Sequence, residues 1–531
     1  MNMKKTAAKW TVSILIASLL LSACGNNGGS SGTSCSGSET GGKYDEHMVI
    51  SFALVGQNES VDYNGDDLAH AFTDKFNYEF ESINLTWDNW KEKCNIWINS
   101  NDMPDMLQWD FNYAEYVNYV DQELFYKFPD NWEERWPNLA KVNRVAGLQG
   151  YLDEKVGDTY FLAKPVYFSA PTDPIITHNS VYIRSDWAKD AGIEVKSAYT
   201  VEELMDYARA IKSADPAGNG RTIPLDGTSD ELMRIFMEQA NVNFRTFYPD
   251  SDGVYHWGPA EEGTMEGLKL WKQAYEDGLL NKDFYVDGIM HSDNVCNGIS
   301  GAMYGSCTAH IINLVFDSFK EGCGEDPLSS IGVAHMLGDD GNYHTTEVKN
   351  FWTGTVLSPK LSDSKYERIM DIMDFSASDE GQDLTRLGFE GVDYKKDANG
   401  EVTILRDKTE DGNFILLSDK YPSLLSLYNN LTVLPDDFAM RDPSVAPERL
   451  QIINDMFASK DKLGIQKGTV QNYDWNYSFF TSPAKEKFAL DYADEFAQLV
   501  LMDGDLETNW KNWCSQNETI VNTILGELNQ K

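Results

Sequence analysis

"SINLTWDNWKEKCNIWINSNDMPDMLQW", residues 82–109, changes its hydrophobic period twice within one run. "SINLTW" (82–87) alternates as a strand does, "WDNWKEKCNIWINSND" (87–102) spaces its apolar residues as a helix does, and "PDMLQW" is a second strand beginning at Pro104. Upstream, "HMVISFALVG" (47–56) is β-branched and apolar and ends at a glycine, as a buried strand would, and a helical stretch follows near Asp66 to Phe76. The order strand, helix, strand, helix, strand predicts a parallel sheet with helices on its faces. In such sheets ligands collect beyond the carboxyl ends of the strands. Trp109 and Asp110 fall at one of those ends, so both are expected to face a cleft.

A second unit starts near Val181. "SVYIRSDWAKDAGIEV" (180–195) reads as strand, short helix and glycine stop, and "YTVEELMDYARAIKSAD" (199–215) opens a helix with a capping box of Thr200 and Glu203. Met265, Leu268, Trp271 and Tyr275 keep helical spacing up to Gly278, which assigns Trp271 to a core. Further on, "FWTGTVLS" (351–358) is a strand, a helix is expected around Tyr366 to Phe375, and Asn399-Gly400 marks a hairpin. Trp510, Trp513, Ile520, Ile524 and Leu528 give the last fifty residues a helical pattern.

The N-terminus is of another kind. Lys4, Lys5 and Lys9 precede an apolar run from Trp10 to Leu21 that is too short to span a bilayer. Leu21-Ser22-Ala23-Cys24 resembles the lipobox of bacterial lipoproteins, which implies a signal peptide over 1–23 and lipidation of Cys24. Residues 24–43 are almost entirely Gly, Ser, Asn and Thr, a flexible linker with no apolar face to bury. Stable attachment by two or three acyl chains would hold the protein at the membrane.

About 490 residues remain after the linker, too many for one core, so two or more lobes are expected. The chain of 531 residues carries a formal net charge of −40. Such a field repels phosphate backbones and excludes nucleic acid as a partner, and a strongly anionic ligand would need a local basic pocket that the sequence does not locate. Among the seven cysteines no CxxC pair occurs. Cys296, Cys307 and Cys323 are near enough in sequence to pair, or to be free buried thiols. The eight histidines show no HExxH, and the single G-x-S-x-G match (28–32) lies in the linker, without the strand and helix of a nucleophile elbow.

Taken in order, "NDMPDMLQWD" (101–110), "VYIRSDWAKDAG" (181–192), "TVEELMDYARAIKSADPAGNG" (200–220), "AYEDGLLNKDF" (274–284), "GISGAMYG" (298–305), "LGFEGVDY" (387–394) and "LVLMDGDLETNWKNW" (499–513) resemble the family 1 extracellular solute-binding proteins of carbohydrate ABC importers, in their lipoprotein-type subgroup. The resemblance implies an α/β fold of two lobes of the type II periplasmic-binding-protein kind, joined by a hinge of crossing strands with the ligand cleft between. It divides the chain into a first lobe (44–175), a second lobe (176–348), a hinge strand and return to the first lobe (349–440), and C-terminal helices (441–531), mainly of the second lobe. It also implies an oligosaccharide ligand, ABC permease subunits as partner, a monomer, an extracellular lipid-anchored location, and no catalysis. A peptide-binding importer component and a surface glycoside hydrolase are the alternatives.

Sugar rings lie against aromatic faces while their hydroxyls take hydrogen bonds from polar side chains. On that basis Trp109 and Asp110 lead the candidate ligand-binding residues. Trp352 joins them where the family's strand returns through the hinge, Tyr304 after the glycine-led strand, and Asn241 and Trp475 from loops that could face the cleft. "DPAGNGRTIPLD" (215–226) resembles a calcium loop, with Asp215, Asn219 and Asp226 as candidate ligands, although Ala217 and Ile223 break the pattern.

Overall fold

The computed structural model describes residues 42–530 except 58–59, 87–88, 147–151, 153–155, 166–172, 287–290, 346–348, 410–413 and 426–441. The expected signal peptide, Cys24, Cys35 and the linker up to residue 41 lie outside the described residues. Residues 46–531 form one compact unit, separate from 1–45. Among the described residues no helix is long and apolar enough to cross a membrane.

Strands β1 (Met48–Val55), β2 (Tyr78–Leu85), β3 (Met106–Trp109) and β4 (Phe161–Pro165) carry the chain through a first sheet. β1 pairs parallel with β2 and β3, as the strand and helix order predicts. The intervening helices are Asp67–Phe76, capped by Asp66, and Trp90–Asn99. The chain then crosses to a second sheet through β5 (Asn179–Arg184), β6 (Ala198–Thr200), a small hairpin of β7 (Phe247–Pro249) with β8 (Tyr255–Trp257), β9 (Ala302–Ser306) and β10 (Ile331–Leu337). It crosses back in β11 (Phe351–Leu357), which lies antiparallel between β3 and β4. The two sheets have the orders β2-β1-β3-β11-β4 and β6-β10-β5-β9.

Because β11 is antiparallel to both β3 and β4, the carboxyl ends of β1 to β4 and the start of β11 share one edge of the first sheet. The helix Val201–Ala214 opens with the expected capping box, each partner of Thr200 and Glu203 bonding the other's backbone. The helix Glu262–Glu276 buries Trp271 completely. After β11 the helix Asp363–Ala377 covers the first sheet, and the hairpin at Asn399-Gly400 joins Tyr394–Lys396 to Val402–Ile404. The terminal helices Tyr492–Leu501 and Leu506–Leu528 pack into the core that surrounds the second sheet.

Charged and aromatic groups fasten the crossings. From the helix Pro447–Leu463, Lys460 donates to the carbonyl of Thr177 at 2.9 Å and lies 5.0 Å from the Tyr343 ring. The short helix Trp475–Ser478 joins the two cores: Trp475 stacks on Phe351 of the first at 6.3 Å, and Tyr477 packs on Phe247 of the second at 5.5 Å.

Candidate functional site

The carboxyl edge of the first sheet gathers residues from four separate parts of the chain. Trp109 ends β3 but does not face a cleft: it is 2% exposed and packs among Phe111, Tyr116, Phe125 and Phe161, with ring centroids 5.6–6.4 Å apart. The expected exposure is therefore corrected to a core position, because strand alternation turns this ring under the helices. Asp110, the next residue, turns outward; its carboxylate is 35% exposed and pairs with Lys91 at 3.1 Å.

Trp352 comes to the same edge by a backbone irregularity. The register of β11 against β4 shifts between Phe351 and Gly354, which leaves Phe351 in the Trp109 cluster and sends Trp352 to the outside. Trp352 is 38% exposed, with Trp90 at 6.0 Å and the Lys164 ammonium 5.8 Å from its ring centre. Gly354 is obligatory here, since a Cβ would stand 2.2 Å from the Phe161 ring and 2.4 Å from the Leu162 carbonyl. Lys349 enters just before β11, its ammonium 5.0 Å from the Phe351 ring.

Burial dominates the electrostatics of this edge. It pushes Lys164 down to about 8, and it lowers Lys349 while the Asp110 carboxylate acts in the opposite sense. Burial, followed by the charge of Asp110, raises Glu115. At the outer border of the edge a pocket of about 400 Å³ is lined by Gln57, Asp62, Tyr63, Asn64, Ser82 and Asn84 among others. Gln57 Oε1 accepts from Ser82 Oγ at 2.6 Å, while Gln57 Nε2 and Asn84 Oδ1 have no hydrogen-bond partner among the described residues. The pocket thus offers a buried donor and acceptor.

The second lobe contributes a basic cluster. Arg234, on the helix Ser229–Met237, bonds Asp230 with Nε at 2.7 Å, and Arg245 Nη1 stands 3.7 Å from the same carboxylate. Burial opposes the charge of Arg234, and Asp230 overcomes it. Arg245 is lowered, by burial and then by Arg234. Gln239 Oε1 accepts from the His344 backbone N–H at 2.9 Å and its amide donates to the His344 carbonyl at 2.7 Å, which ties this helix to the segment that crosses toward Lys349.

The remaining sequence candidates sit elsewhere or inside. Tyr304 is buried in the second core, and burial, then Glu238, raises its phenol. Asn241 staples a turn, its amide donating to the Gly258 carbonyl at 3.0 Å and to Thr264 Oγ1 at 2.9 Å. Trp475 is buried between Phe351 and Phe479 rather than open to a cleft. In the candidate calcium loop, the Asp215 carboxylate accepts from the Gly220 N–H at 2.8 Å and from Thr222 Oγ1 at 2.7 Å. Asp226 is fully buried, bonded to Asn294 and Ser300 at 2.7 Å each, and is separated from that loop by its own network. Among the described residues no group of three or more His, Cys, Asp or Glu is placed to hold a metal ion. The described cysteines, Cys94, Cys296, Cys307, Cys323 and Cys514, are all free.

Sequence reasoning missed Lys91, Lys164, Lys349, Arg234 and Arg245. No motif marks them, because each takes its place only through residues distant in sequence, Lys349 facing Asp110 and Arg245 facing Asp230. The one available signal was position: Lys349 directly precedes the returning strand.

No family model matches the chain. It is 23% identical over 373 residues to the Bacillus subtilis lipoprotein LipO, covering 67% of each. Against the polygalacturonan/rhamnogalacturonan-binding protein YtcQ of the same organism it is 21% identical over 339 residues, covering 62% of this chain and 64% of that protein. The chain therefore spans about two thirds of the length of these curated relatives. Among solved structures, the alginate-binding protein AlgQ2 without calcium ion matches with a TM-score of 0.65 at 16% identity, over 92% of this chain and 98% of that one. The Streptococcus pneumoniae ABC-transporter substrate-binding protein FusA, in complex with kestose, matches with 0.65 at 17% identity, over 90% and 98%. These structural neighbours are binding proteins rather than enzymes, and the chain has their fold.

Proposed function

We propose that this chain is a lipid-anchored extracellular solute-binding protein that captures an oligosaccharide and delivers it to the permease of an ABC importer. One observation carries the reading: Trp352 stands exposed, with Trp90 and the Lys164 ammonium against its ring, at the carboxyl edge of a sheet where Asp110 pairs with Lys91 and whose chain crosses to a second lobe and back. An aromatic face flanked by charged hydrogen-bonding groups is what a sugar ring requires. The likeness to YtcQ and FusA, whose names record glycan ligands, supports a carbohydrate, and the likeness to LipO supports the anchor at Cys24.

In this reading the protein performs no chemistry. Lobe closure about the crossing segments buries the sugar, and the permease distinguishes the closed form. The Gly/Ser linker lets an anchored monomer reorient toward its partner. A thermal-shift screen against purified oligosaccharides, with mixed peptides as control, tests it. A ligand that binds only the native state adds about 2.7 kcal/mol at a hundredfold excess over Kd, so the true solute moves the melting temperature by several degrees. A response to peptides alone would sink the carbohydrate reading, and release of reducing ends from a polysaccharide would replace it with a hydrolase.

A further inference from the structure

Resting on the carbohydrate reading above, we propose that the pocket at the end of β2 is a subsite for one uncharged sugar residue of the bound glycan, a hydroxyl of which donates to Asn84 Oδ1 and accepts from Gln57 Nε2. Asn64 builds one wall by clamping the turn 62–64 to β2: its amide donates to the Phe80 carbonyl at 2.9 Å, and its Oδ1 accepts from the Phe80 N–H at 2.9 Å. Ser82 Oγ donates to Gln57 Oε1 at 2.6 Å, which fixes that amide so that Nε2 is the end left over. Gln57 is 5% exposed, and neither its Nε2 nor Asn84 Oδ1 has a hydrogen-bond partner among the described residues.

Buried polar groups are paired almost without exception, because leaving one unmade costs about 1–3 kcal/mol. A donor and an acceptor left over in the lining of one pocket of about 400 Å³ therefore point to a ligand that serves both. A hydroxyl does so, since it gives one hydrogen and takes others. A carboxylate serves only Gln57: its oxygens would meet Asn84 Oδ1 and the Asp62 carboxylate, and none of the described residues that line the pocket is Lys, Arg or His. An ammonium serves only Asn84 and leaves the Gln57 donor unmet, and an apolar group serves neither. β2 is the outermost strand of the first sheet and β11 lies three strands further in, about 14 Å at roughly 4.8 Å per strand. One ring thus covers Trp352 or fills the pocket, and an oligosaccharide does both with its end residue in the pocket.

Calorimetry on the purified full chain tests the subsite, with maltotriose, xylotriose, mannotriose and galactotriose as neutral probes, trigalacturonate as the acidic one, and mixed peptides as control. A neutral trisaccharide is expected to bind at least about tenfold tighter than trigalacturonate, whose every residue carries a carboxylate. Gln57→Glu keeps the acceptor for Ser82 and removes only the donor, so it should weaken that binding about tenfold or more. Asn84→Ala should do the same, whereas Asn84→Asp retains the acceptor and should stay within about threefold of the parent, with melting temperatures little changed in all three. A purely structural role for these amides would move the melting temperature instead of the affinity. That result, or parental affinity in Gln57→Glu and Asn84→Ala, overturns the subsite and leaves the carbohydrate reading in place. Trigalacturonate bound as tightly as any neutral glycan overturns it likewise. Binding of no glycan, with or without a response to peptides, overturns the reading on which it rests.

Discussion

Trp352 and Trp109 lie on neighbouring strands and meet opposite fates: one stays wet, the other fills the centre of an aromatic cluster. Trp352→Ala should weaken glycan binding at least about tenfold with little change in melting temperature, since mainly a ligand contact is lost. Trp109→Ala should instead cost about 3–5 kcal/mol of stability, measured by denaturant titration, because it empties a packed site. A Trp109→Ala protein that melts like the parent would contradict the placement of this ring. Sequence reading located the end of β3 but not which of two adjacent residues turns inward. That parity is decided by the helices above the sheet, and for Trp352 by a register shift that no local pattern announces. Arg234 and Arg245 were illegible for a different reason, since the Asp230 carboxylate that holds both belongs to a helix whose placement against Arg245 no local pattern fixes.

At the level of elements, local patterns were legible where local physics decides. The capping box at Thr200, the hairpin at Asn399-Gly400 and the strand, helix, strand beginning of the first lobe are each written within a few residues. In "GFEGVDY" (388–394) the turn is held by Asp393. Its buried carboxylate accepts from the Phe389 N–H at 2.8 Å and from the Tyr421 hydroxyl at 2.9 Å, and Lys420 pairs with it at 2.5 Å. Asp393→Ala leaves these donors without their acceptor and should destabilise the fold by about 3 kcal/mol, with glycan affinity unchanged in the folded fraction. Chemical denaturation together with calorimetry on the folded protein separates the two effects.

Across the whole molecule, the crossings set the response to acid. Burial, aided by the charge of Lys460, holds His178 and His335 at about 4, below the ordinary 6.5. Burial also lowers Lys460 to about 7 from 10.5, with Glu238 acting against it. In each case the unfolded chain binds more protons than the native one, so stability rises with pH, between 4 and 6.5 for the histidines and between 7 and 10.5 for Lys460. The melting temperature should therefore fall as pH drops from 6.5 toward 4, and His335→Gln should flatten that slope; an unchanged slope would show that His335 does not titrate in this way. The register shift that turns Trp352 outward also has an optical consequence. Every other described tryptophan is buried or partly buried, so among the described residues Trp352 is the indole most open to water. A solute that covers it would move the protein's fluorescence toward the blue, which makes the native chain its own dye for following occupancy in real time.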